Sequence, residues 1–113
     1  MTTIDFERSV LSTVMYHAHS GQPLGNTELY EEWFSSHFHK IVVKTINAMR
    51  AKDIPPADDL VYHYLDKNGL VRDVKNQVAF NDIITANPFG SSDVFGQYLN
   101  ILKSSKKRLA LRV

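Results

Sequence analysis

The residues here whose types can do chemistry are five histidines, two pairs of adjacent acids and a basic run near the end. His17 and His19 are two apart, and so are His37 and His39. An H-x-H pair suits a metal when both rings project the same way, as on a strand. On a helix, residues two apart do not face each other. No acid stands beside either pair in the sequence as a third ligand. The expectation is therefore solvated or capping histidines and no metal site. Glu31-Glu32 and Asp58-Asp59 are sequence neighbours. Neighbours on a helix point roughly 100° apart, so neither pair converges on a substrate for acid–base work. They read as caps and solvated faces.

The phosphate loop G-x-x-x-x-G-K-[ST] and the nucleophile elbow G-x-S-x-G are both absent. With no cysteine, disulfide scaffolds, cysteine zinc sites and thiol nucleophiles are excluded, as expected of a reducing cytoplasm. No catalytic, metal or cofactor-binding residue is assigned to this chain. What remains is binding. Lys103, Lys106, Lys107 and Arg108 lie close together on a helix, with no acid among them. Such a patch suits phosphates in a salt-sensitive way, an acidic protein surface, or simply water. The interleaved aromatics of a single-strand platform are missing there. Tyr62 and His63 fall on the expected outer face of their helix and are candidates for touching a partner.

The chain has 113 residues and a net charge of +1, about one domain with room for a real core. A near-neutral chain is no electrostatic glue for nucleic acid. The charge is uneven, with Glu28, Glu31 and Glu32 near the front and the basic run at the end. No apolar run approaches the roughly 20 residues that span a bilayer, and residues 1–9 do not read as a signal peptide.

Periodicity supplies the elements. Phe6, Val10, Leu11, Val14, Met15 and Ala18 predict a helix over about 4–17, with Thr2 and Asp5 as a weak capping box. Residues 20–26 form a loop. Asn26 is expected to cap a short helix carrying Leu29, Trp33 and Phe34. Ser36 to Lys52 is the expected central helix: Phe38, Ile41, Val42, Thr45, Ile46 and Met49 share one face, and Val43 and Ala48 widen it. Pro55 and Pro56 stop it. A fourth helix starts near Asp58 or Asp59 as cap, buries Leu60, Val61, Tyr64 and Leu65, and closes at Asn68-Gly69. Leu70, Val71 and Val74 suit an extended stretch. A fifth helix over about 76–86 uses Val78, Phe80, Ile83 and Ile84. After Asn87-Pro88-Phe89-Gly90, a last helix capped by Ser91 or Ser92 runs to the end. Its core face is interrupted by K-S-S-K-K-R and resumes at Leu109, Leu111 and Val113. The expected fold is all-α, a compact orthogonal bundle of about six helices around a central one. Residues 1–102 form the globular domain and 103–113 begin a basic and apolar linker helix. The chain is expected to be part of a longer protein.

The order of features resembles the N-terminal domain of DnaB-type replicative DNA helicases. Phe6-Glu7-Arg8-Ser9-Val10-Leu11 resembles the E-R-S-V-L opening of that family's first helix. Phe34 and His39-Lys40-Ile41-Val42 resemble the F-Y-x-x-x-H-R-x-I start of its central helix. Pro56, Asp59, Leu60, Leu65 and Asn68-Gly69-Leu70 resemble its proline-to-glycine segment. Asn87-Pro88, Tyr98 and Ile101 to Leu109 resemble its close. The chain departs from the pattern at Asp73-Val74-Lys75-Asn76, which replaces a glycine pair, and in doubling Pro55 onto Pro56.

The resemblance implies a homohexameric helicase that unwinds DNA with ATP and Mg, using a RecA-like motor that this chain does not contain. The N-terminal domains of such helicases pair into a collar and dock primase and, in some systems, a loader. DNA is met by the full-length protein, and no membrane is involved. On this reading Val43, Leu99, Leu102, Leu109 and Val113 are candidates for self-association. Tyr62, His63, Lys103, Lys106, Lys107 and Arg108 are candidates for partner docking. The rival readings are the helicase-binding domain of a primase, a stand-alone adaptor or inhibitor of the same fold, and a small DNA-binding protein.

Overall fold

A computed structural model describes residues 3–86 and 92–111, with side chains in the last helix described over 93–104. Among these residues there are five α-helices and no strand: α1 Thr3–His19, α2 His37–Ala51, α3 Asp58–Lys67, α4 Val74–Ile84 and α5 Ser92–Leu111. Two short 3₁₀ turns, Pro23–Asn26 and Glu31–Trp33, lie between α1 and α2. The all-α class is as expected. The six helices become five because residues 26–34 form no α-helix. Asn26 ends the first 3₁₀ turn instead of capping a helix. Thr27 and Tyr30 are extended, a course that seats Leu29 and Phe34 in the core.

The helix packed against all four others is α1, not the expected α2. Its residues Val10 to Met15 are buried in an unbroken run, so it is covered on all sides. Two polar residues within that run are satisfied locally. Thr13 Oγ1 donates to the Ser9 carbonyl at 2.7 Å, and Ser12 Oγ donates to the Ala86 carbonyl at 2.9 Å. By contrast α2 buries Phe38, Val42, Val43, Ile46 and Met49 while Ala48 faces solvent. Its outer edge still works. Asn47 donates to the Leu29 carbonyl and Arg50 to the Gly25 carbonyl, holding the 3₁₀ segment down. Gly25 lies against the end of α1, where a Cβ would come within 2.5 Å of the Ala18 nitrogen.

One buried polar cluster joins α1 to α2. Glu7 is wholly inaccessible. Its Oε2 accepts from the Ser35 backbone N–H (3.0 Å) and hydroxyl (2.6 Å). Its Oε1 accepts from the Ser36 N–H (3.3 Å) and lies 2.8 Å from His39 Nδ1. The carboxylate thus serves donors at the start of a helix about thirty residues away, beside the local Ser36 cap that accepts from His39 N–H. Negative charge there suits the helix dipole. Burial alone pushes the Glu7 carboxyl up. Hydrogen bonds from His39, the Ser35 hydroxyl and the Ser35 and Ser36 backbones outweigh that and hold it below the ordinary 4.5.

Two helices end in the same way. Beyond α3, Gly69 has φ +72°, and its N–H reaches Asp66 O while Leu70 N–H reaches Leu65 O. That is a Schellman close. α2 ends ahead of the prolines by the same device, with Asp53 at φ 57° and Ile54 N–H reaching Met49 O. Glycine fits such a site without strain; aspartate does not.

Neither Asp58 nor Asp59 caps α3. The cap position is Ala57, and both acids stand in the first turn, where they favour the dipole. Leu60 is exposed, so the α3 buried face is Val61 and Leu65 with Tyr64 half-covered. α4 starts earlier than expected because Asp73 accepts from Asn76 N–H and caps it. This places Val74 in solvent, 71% exposed, while Leu70 and Val71 still pack inward. The expected Thr2 cap and the 87–91 break lie outside the described residues.

Two stability outcomes follow. Glu7→Gln puts an amide N–H₂ among donors that need an acceptor, so it should cost about 1–3 kcal/mol at neutral pH, read by denaturant unfolding. Because the folded Glu7 carboxyl is depressed, its contribution is complete above the unfolded value near 4.5 and is lost as pH falls through the folded value. The gap between wild type and variant should therefore narrow in acid; a gap constant down to the lowest pH at which both stay folded would contradict this. Asp53→Gly removes a left-handed aspartate and a charge at the wrong end of α2. A gain of roughly 0.5–1 kcal/mol is expected, and no rise in melting temperature would refute it.

Candidate interaction surface

The residues that sequence reasoning singled out fall in three places. Val43 and Leu102 are fully buried members of the core. The folded chain therefore does not offer them for self-association. Val43 was ambiguous because it lies off the α2 stripe; the 3₁₀ turn at Glu31–Trp33 packs against α2 and closes that side. Leu99 is half-buried against the core. The side chains of Lys106, Lys107, Arg108, Leu109 and Val113 lie outside the described residues. Lys103 is exposed and sets its Nζ 4.8 Å from the centre of the Trp33 ring, a cation–π contact tying α5 to the 3₁₀ turn. Beside Trp33, Tyr30 donates to Glu28 Oε2 at 3.2 Å, and the Glu28 charge holds the phenol proton on, raising Tyr30 above its usual 10.0.

Tyr62 and His63 are both on the outside of α3. His63 meets Tyr64 edge-on. Tyr62 leans toward Phe80 of α4, ring centres 5.4 Å apart, and so forms the wall of a concavity between α3 and α4. A second concavity of about 450 Å³ adjoins it, floored by Met15 and walled by Tyr16 and Ile84. The two share Asp58 and Ile84 and make one groove across α1, α3 and α4. Its apolar parts are open to solvent, Tyr16 at 58% and Tyr62 at 39% exposure. Val78 and Ile84, expected in the core, are exposed. α4 buries only Phe80 and Ile83.

Two expectations about histidines are corrected, one of them at the rim of this groove. His19 has acids beside it after all: ligand atoms of His19, Asp58 and Asp59 lie within 4.8 Å of one another. The three come from the end of α1 and the start of α3, a proximity that no local spacing reveals. They are exposed or half-exposed. The side chains of Asp58 and Asp59 each accept from the next backbone N–H, at 2.8 and 2.9 Å. His39, read as solvated or capping, is instead buried on Glu7. Sequence reasoning missed Tyr16 and Ile84 as groove residues. Tyr16 carried a usable signal, a large aromatic off the apolar stripe of its helix. Ile84 carried none, since it fits the periodicity of a buried face.

No described helix is long and apolar enough to cross a membrane. The arrangement offers a shallow apolar groove with an acidic rim, suited to receiving a side chain or a helix from another polypeptide. No curated protein and no solved structure matches the chain. A family model does, over nearly its whole length. It takes in both halves of the buried cluster, Glu7 in the E-R-S-V-L-like opening and His39 at the start of the central helix. Residues 1–104 match the DnaB-like helicase N-terminal domain, and the chain belongs to that family.

Proposed function

We propose that this chain is the collar module of a replicative DNA helicase, an oligomerisation and docking domain and not itself an enzyme. It pairs with other copies toward a hexamer collar and presents a surface to primase or a loader during DNA replication. ATP and Mg belong to a motor elsewhere in the full-length protein, which is also what meets DNA, in the cytoplasm of a bacterium or of a phage host. The observation that carries this reading beyond family membership is α5. It runs as one helix to Leu111, past Leu102, the last core residue among those described. Over that stretch the sequence turns basic at Lys103, Lys106, Lys107 and Arg108, then apolar at Leu109, Leu111 and Val113. A helix that outruns its own core with a fresh apolar pattern supports a second packing partner. On this reading 1–102 is the globular part and 103–113 the connecting helix, with Leu109 and Val113 starting the seam and Leu99 at its base.

Sedimentation of the purified chain over a range of concentrations should show a dimer or a larger species, and titration with the helicase-binding domain of the cognate primase should give a complex. A chain that stays monomeric at all concentrations and ignores primase would overturn the proposal. So would DNA binding that is tight and indifferent to salt, because a phosphate-contacting patch loses affinity steeply as salt rises.

A further inference from the structure

The groove across α1, α3 and α4 has a composition that its own domain leaves unanswered. Its floor and walls are Met15, Tyr16, Tyr62, Phe80 and Ile84, and among the described residues no Lys or Arg lines it. Its rim carries Asp58 and Asp59, neither of which takes part in the ion pairs formed among the described residues. The end of the chain has the opposite composition. Residues 106–113 read K-K-R-L-A-L-R-V, three cations, three apolar residues, then Arg and Val, with no acid. Lys103 is already engaged on Trp33 of its own chain; the cations beyond it follow Leu102, the last core residue among those described.

We infer that the groove receives residues 106–113 of a second copy of this chain, with Leu109 and Val113, four apart and so on one helical face, packed among Tyr16, Tyr62 and Ile84 and cations over Asp58 and Asp59. This rests on the self-association reading above and names the surface that serves it. The charge match argues for this occupant. Juxtaposed unlike charges set register and exclude wrong partners, and the apolar floor supplies the burial that exposed ion pairs lack. Donor and acceptor are different surfaces, so the contact is heterologous. Repeated, it generates a ring if the rotation closes and a filament if it does not, and it is not limited to a dimer.

Charge exchange in the full chain tests this. Asp58→Lys/Asp59→Lys makes groove and tail both basic; Lys106→Glu/Lys107→Glu/Arg108→Glu makes both acidic. Each variant alone should lose association by about tenfold or more at moderate salt, and an equimolar mixture should regain it, because both groove–tail combinations then match. Circular dichroism on each variant separates lost association from lost fold. As a second readout that leaves the charges intact, Tyr62→Cys in one copy and Leu109→Cys in another should be joined by a short bismaleimide, the chain being otherwise free of cysteine. If both charge variants associate like wild type, or the mixture stays dissociated while each is folded, the groove assignment is wrong even though the collar reading stands. A wild-type chain that never associates removes both.

Discussion

A carboxylate at the wrong end of the sequence makes α2 possible where it is. Ser36 caps the helix locally, but one hydroxyl cannot serve all the backbone donors at a helix start. Glu7, reaching across from α1, accepts from the Ser35 and Ser36 N–H groups just ahead of the helix and brings a full negative charge to the positive end of the dipole. Because Glu7 is itself wholly buried, this arrangement stands only if each oxygen keeps its donors. Ser35, Ser36 and His39 meet that condition together. The cluster thus fixes both the axial position of α2 against α1 and the course of the chain just before it. The core then packs on that frame. Val10, Leu11 and Val14 of α1 lie in one cluster with Val42, Val43 and Ile46 of α2.

The groove depends on the same frame at one remove. Its sides come from α1, α3 and α4, and both α3 and α4 are held in place by packing on α1. Precise turns set where those helices begin and end. The Schellman close at Asn68-Gly69-Leu70 returns Leu70 to the core, and the Asp73 cap starts α4 only four residues after Gly69. A short connection of this kind leaves α3 and α4 as neighbours, which is why Tyr62 meets Phe80. α4 buries two residues and exposes Val74, Val78 and Ile84, and of these Ile84 lines the groove beside Met15 and Tyr16 of α1.

Local chemistry was legible in the sequence and distant chemistry was not. Ser36 as cap, Gly69 as the left-handed closing residue and the stripe on α2 are all decided within a turn or two of chain, so spacing reveals them. The family resemblance was legible too, because it rests on the order of short motifs. Glu7 was visible only as part of a motif. Nothing in its neighbourhood says that it is buried, and nothing near His39 says that an acid thirty residues away is its partner. The same limit explains His19, Asp58 and Asp59, and it explains taking α2 for the hub. α2 has the clearer amphipathic pattern because one side of it faces water. α1 has a blurred pattern because it is covered all round, and a helix buried on all sides loses the contrast that periodicity detects.

A net charge of +1 conceals how the charge is arranged. Near neutrality, copies of the chain do not repel one another as whole bodies. Yet acids gather at the start of α3 and around 28–32, and cations gather beyond 102. At physiological salt the screening length is about 8 Å, so these clusters do not steer molecules from afar. They act when surfaces are nearly in contact, and there they select orientation. A surface that is apolar and neutral would let copies slide over one another in many registers. An apolar floor with charge at one edge leaves few. On the proposed association, the hydrophobic groove supplies the attraction, and the uneven charge decides which way round the second copy lies on it.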